Sequence, residues 1–143
     1  VKAGGGDLPT ITYRVQVVDG IKGLGNSGGT YGGSITEIKM FGSAKGRPVE
    51  NGVEYLGGLR PELLDVGREY LLFMTRPSKV GLSTMVGLGQ GAFKIVLHEK
   101  EDAVINGLNN QGLFRGIDRG DFPQSGPINY AALATRIRAE LAN

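Results

Sequence analysis

The stretch Ile11-Thr12-Tyr13-Arg14-Val15-Gln16-Val17 decides the reading of the fold. Ile11, Tyr13, Val15 and Val17 alternate with Thr12, Arg14 and Gln16. Successive side chains of a strand point to opposite faces, so this is the period of a half-buried β-strand. Upstream, residues 1–10 contain Gly4-Gly5-Gly6 and are expected to form a flexible lead-in. Downstream, Lys22-Gly23 ends the strand. The run Gly-Leu-Gly-Asn-Ser-Gly-Gly-Thr-Tyr-Gly-Gly over 23–33 cannot sustain regular structure and reads as a loop.

A second strand is expected from about Ser34 to Phe41, with Ile38 and Met40 on one face and Glu37 and Lys39 on the other. Residues 42–60 read as a long irregular connection, and Pro61-Glu62-Leu63-Leu64 as one helical turn. After a turn at Asp65-Val66-Gly67, the apolar run Glu69–Met74 predicts a central strand buried on both faces. Arg76-Pro77-Ser78 marks a hairpin-like turn and Leu82–Leu88 a further strand. Gly89-Gln90-Gly91 predicts a kink, and Ala92–His98 a fifth strand with Phe93, Ile95 and Leu97 on one side. Residues 99–127 look turn-rich, with Val104-Ile105 and Leu113-Phe114 as two short apolar pieces.

The period changes at the end. Tyr130, Leu133, Ala134, Ile137 and Leu141 draw one apolar stripe down a helix of about 129–141, with Asn129 as its N-cap. Such a stripe is expected to lie on the sheet and complete the core.

Composition narrows the function classes. A chain of 143 residues, 40% hydrophobic, supports one core without a staple. The absence of cysteine removes thiol catalysis, Cys-based zinc sites and disulfides together. The net charge of +2 arises from sixteen Lys plus Arg against fourteen Asp plus Glu. These cations are scattered, which argues against a nucleic-acid stripe. The densest cluster, Arg136 and Arg138 near Glu140, reads as a solvated face. The longest apolar stretches fall far below the roughly 20 residues that span a bilayer. The chain begins at Val1 rather than Met, so the lack of a visible signal peptide says nothing about export.

Four motifs invite a chemical reading. Gly25-Asn26-Ser27-Gly28-Gly29 resembles the serine-nucleophile segment of trypsin-like proteases, but the sole histidine, His98, follows the serine instead of preceding it. Gly87-Leu88-Gly89-Gln90-Gly91 has the look of a phosphate loop, yet a strand pattern follows it where a helix is needed, so a strand bulge is expected. His98 stands beside Glu99, Glu101 and Asp102, without the second imidazole that a metal site of this kind needs. Arg119-Gly120-Asp121 matches a three-residue adhesion motif that recurs by chance. No carboxylate pair stands out. The sequence therefore assigns no catalytic, cofactor-binding or metal-binding residue and implies no cofactor.

The segments Tyr13–Val18, Ile21-Lys22-Gly23, Thr36–Phe41, Val66-Gly67-Arg68-Glu69-Tyr70-Leu71-Leu72-Phe73 and Gly89-Gln90-Gly91-Ala92-Phe93-Lys94-Ile95 together carry a resemblance. Their order over residues 11–97 resembles that of netrin-type domains, which include the tissue inhibitors of metalloproteinases. It is more similar still to cysteine-free bacterial exported proteins. The resemblance implies a five-stranded OB-type barrel and a secreted or periplasmic location. The metalloproteinase inhibitors place an N-terminal cysteine on the protease zinc; this chain has none, so that activity and its residues do not carry over.

The expected architecture is thus all-β with one C-terminal α-helix: a single five-stranded OB-like barrel over residues 11–143. The expected function is non-enzymatic binding of another protein, such as a secreted protease or a surface component, through a barrel face and the loops 23–33 and 42–60. One rival is an OB domain for single-stranded nucleic acid, stacking bases on Tyr13, Phe41, Tyr70, Phe73 or Phe93. The other is a hydrolase of unfamiliar type built around His98.

Overall fold

The computed structural model of the protein describes residues 2–3, 6–7, 9–22, 34–42, 49–50, 53–54 and 64–142. The loop 23–33, most of the connection 42–60 and the helical turn expected at 61–64, save Leu64, lie outside the described residues. The chain divides into two compact units, one drawn from residues 1–63 and 76–84, the other from 64–75 and 85–143.

Among its described residues the first unit holds three antiparallel ribbons: β1 (Lys2–Ala3) with β2 (Gly6–Asp7), β3 (Thr10–Val17) with β4 (Ser34–Phe41), and β5 (Val49–Glu50) with β6 (Val53–Glu54). The register of β3 and β4 follows from their alternation. Ile11, Tyr13 and Val15 stand opposite Met40, Ile38 and Thr36, so most apolar residues of the two strands share one face, while Ile35 and Phe41 lie on the other. On the other face Arg14 stands opposite Glu37, and their charged groups are 4.0 Å apart. Both side chains are largely exposed, so this pair contributes little. The expected turn after Arg76 closes between Ser78 and Leu82, where the Ser78 amide donates to the Leu82 carbonyl at 2.9 Å.

The second unit is built on a four-stranded antiparallel sheet. Its members are β7 (Tyr70–Leu72), β8 (Ala92–His98), β9 (Glu101–Asn106) and β10 (Ile128–Asn129), in the order β10-β9-β8-β7. Helix α1 (Tyr130–Ala142) follows β10 directly. Asn129 caps it as expected: its Oδ1 accepts the Ala132 amide at 2.9 Å, satisfying one of the donors a helix start leaves open. Leu133 and Ala134 of the stripe are buried, while Leu141 at its end is exposed.

Several expectations are corrected by the structure over residues 69–106. The run Glu69–Met74 gives only the three-residue β7, at the end of the sheet order, with Leu71 buried and its neighbours half-buried. A continuous apolar run reads the same whether strands or irregular chain cover it. No strand forms over 82–88; Met85 makes a single bridge to Met74. Gly89-Gln90-Gly91 is not a bulge but part of one 3-10 turn, Leu88–Gly91.

Residues 101–106, expected to be irregular, form β9. The turn joining β8 to β9 is Glu99-Lys100, with φ of 51° and 66°. Both residues are left-handed, the mark of the two-residue type I′ hairpin, which normally uses Asn-Gly. This atypical turn hid the hairpin from the sequence. Among the described residues the strands form no closed barrel. The chain is β-rich with one C-terminal helix.

Candidate functional site

The segment between β9 and β10 positions the site. Asn106 and Asn110 anchor it. Asn110 is 1% exposed. Its Nδ2 donates to the carbonyls of Val104 (2.9 Å) and Gly126 (2.8 Å), and its Oδ1 accepts the Asn106 amide at 2.9 Å. The Asn106 Oδ1 accepts the amides of Leu108 and Asn110 in return. Two carboxamides thus replace the ladder bonds that the segment gives up on leaving the sheet. Successive turns follow, each closed by an amide donating to the carbonyl three residues back, at Leu113, Arg115 and Ile117.

These turns bring Leu113, Phe114 and Ile117 beside Ile137 and Leu141 of α1. Together with Phe73, Phe93 and Val86 they enclose a groove of about 360 Å³. Phe73 and Phe93 meet edge to face at 5.9 Å between ring centroids. Val86, Ile117 and Leu141 are 51%, 61% and 44% exposed, so the groove opens to solvent along an apolar rim.

Gly91 makes this geometry attainable. A Cβ there would lie 2.5 Å from the Val86 carbonyl oxygen. The chain passes that closely because the Phe73 amide donates to the Gly91 carbonyl and the Val86 amide to the Phe73 carbonyl, both at 2.8 Å.

One charge pair stands at the groove. The Arg136 Nε donates to the Glu140 carboxylate at 2.8 Å, one helical turn on. The Arg136 Nη2 donates to the Asp118 carbonyl at 3.0 Å, tying the 107–127 segment to α1. Arg136, read from the sequence as solvated, is thus a structural clamp with a side chain only 28% exposed.

A second cavity of about 400 Å³ adjoins the first. Leu113 and Phe114 line both; Gly112, Arg115, Arg119 and Gln124 complete the second. Phe114 stacks on Phe122 at 5.2 Å with 15° between the planes.

The motifs noted in the sequence fall elsewhere or change role. Gly25–Gly29 lies outside the described residues. Gly87, Gln90 and Gly91 line the groove as a turn that leads into β8, with no helix start to bind phosphate. His98 ends β8 with its side chain 52% exposed, and its Nε2 is 4.0 Å from Glu99 Oε1. Among the described residues no three His, Asp or Glu gather closely enough to hold a metal ion. Arg119-Gly120-Asp121 is a tight surface turn in which the Gly120 amide donates to Asp118 Oδ1 at 2.9 Å. Among the described residues no helix is long and apolar enough to cross a membrane.

Sequence reading missed the groove. The signal present was the unpaired end of the helix stripe, Ile137 and Leu141, together with apolar Leu113, Phe114 and Ile117 in a turn-rich segment. No protein-family model, curated protein or solved structure matches this chain, so the geometry of the groove is what any functional reading must rest on.

Proposed function

We propose that the chain is a non-enzymatic binding domain whose ligand lies in the groove between α1 and the Phe73–Phe93 pair. The observation that carries this reading is the open apolar hollow of about 360 Å³. Ligand pockets are typically about 300–1,000 Å³, mostly apolar, with a few polar groups that orient the ligand. Here those groups are Arg136, Glu140 and Gln90. The exposed rim residues Val86, Ile117 and Leu141 sit together, as apolar side chains do where something covers them. The nucleic-acid reading has less support: Phe93 is 2% exposed and offers no face for a base to stack on.

The five-stranded OB-type barrel and the secreted or periplasmic location rest on the netrin-type resemblance alone. On that resemblance the domain works beside another protein, such as a secreted protease or a surface component.

Titration with the neutral apolar dye Nile red tests the site. The protein is expected to give saturable fluorescence, and Leu141→Glu at the rim to abolish it. Leu97→Glu, at a position 77% exposed on β8 and away from the groove, is expected to leave it intact. No saturable signal from the folded protein, or equal signals from the two variants, would overturn the reading.

A further inference from the structure

We infer that the ligand is a single-chain amphiphile with an anionic head, its apolar chain in the groove and its head group against Arg115 and Arg119. This rests on the binding reading above and adds the chemical class.

Leu113 and Phe114 line both cavities, which places the second cavity beside the apolar groove. The polar residues there are Arg115, Arg119 and Gln124, with no carboxylate among the lining residues. The contrast with the groove decides the sign of the head group. In the groove, Arg136 is neutralised by Glu140 at 2.8 Å. Among the described residues, Arg115 and Arg119 take part in no ion pair. The nearest acid in sequence, Asp118, turns its Oδ1 to the Gly120 amide at 2.9 Å.

A guanidinium offers five N–H donors in a planar fork that fits carboxylate, sulfate or phosphate oxygens in pairs. Arg115 lies back over its own turn, its Nη2 3.7 Å from where a Cβ on Gly112 would stand. Phe114, which lines both cavities and stacks on Phe122, gives the apolar step between the compartments. An apolar groove, an aromatic step and two arginines without a carboxylate partner are the complement of a molecule that is greasy at one end and negative at the other.

The test compares decanoate with decan-1-ol, below the micelle concentration, by calorimetric titration of the intact chain. Decanoate is expected to bind at least about ten-fold more tightly, a factor equal to about 1.4 kcal/mol. Its advantage is expected to shrink with added salt. Arg115→Gln with Arg119→Gln is expected to bring decanoate to the level of decan-1-ol and leave decan-1-ol unchanged, with the circular dichroism spectrum confirming the fold.

Equal affinity of the wild-type chain for the two probes overturns the anionic head and leaves the groove standing. Binding of neither overturns the groove as well. A decanoate preference that survives the double substitution overturns the role of the two arginines. Binding to vesicles containing anionic lipid, with no binding of dispersed decanoate, identifies a membrane-surface site and overturns the single-chain ligand.

Discussion

Substituting Gly91 by alanine tests the packing that shapes the groove. The added Cβ would lie 2.5 Å from the Val86 oxygen and 3.0 Å from both the Phe73 oxygen and the Val86 nitrogen. All three are backbone atoms, so no side chain can swing aside. Ordinary contact begins at 3.4 Å, so the Val86 segment must retreat by about 0.9 Å. That movement strains the 2.8 Å bonds tying Gly91, Phe73 and Val86 together. Overpacking of this kind costs about 1–3 kcal/mol, and one lost hydrogen bond about 1 kcal/mol more. The expected loss is about 2–4 kcal/mol, a fall in Tm on the order of 10 °C for a chain of this length. Gly116→Ala is the control: φ there is 81° and nothing lies within 4 Å, so the cost is conformational alone, about 1–2 kcal/mol. Urea unfolding followed by circular dichroism measures both. A Gly91→Ala midpoint at or above that of Gly116→Ala would show that the close approach does not shape this unit.

Further outcomes follow from single contacts. Asn110→Ala removes the partners of the buried Val104 carbonyl, the half-buried Gly126 carbonyl and the Asn106 amide and should cost about 2–4 kcal/mol; amide exchange should show the 107–127 segment opening first. Replacing Glu99-Lys100 by Asn-Gly suits the left-handed φ of both residues and should raise stability by about 1 kcal/mol; an unchanged unfolding midpoint would refute the type I′ assignment. Asn129→Ala removes the acceptor of the Ala132 amide and should cost about 1 kcal/mol, whereas Asn129→Ser should recover most of it.

The local elements were legible because their causes are local. The alternation through Ile11–Val17 and Ser34–Phe41 sets which side chains share a face, and the two strands pair in the register that unites those faces. The stripe and cap of α1 depend on spacing along one helix, and β8 appears where its apolar alternation lies. Where a turn lacked its usual residues, as at Glu99-Lys100, the reading failed and β9 went unseen.

Sequence alone therefore determined the strand-and-helix vocabulary of this protein and the absence of thiol chemistry. Tertiary structure decided how far the 69–74 run stays in a sheet, why residue 91 carries no side chain, and where a ligand fits. The groove draws Phe73, Val86, Phe93, Phe114 and Ile137 from distant parts of the chain, and no local period records such a meeting. Arg136 shows the same division: its i+4 partner Glu140 is written in the helix spacing, but its bond to the Asp118 carbonyl exists only once the chain has folded back on itself.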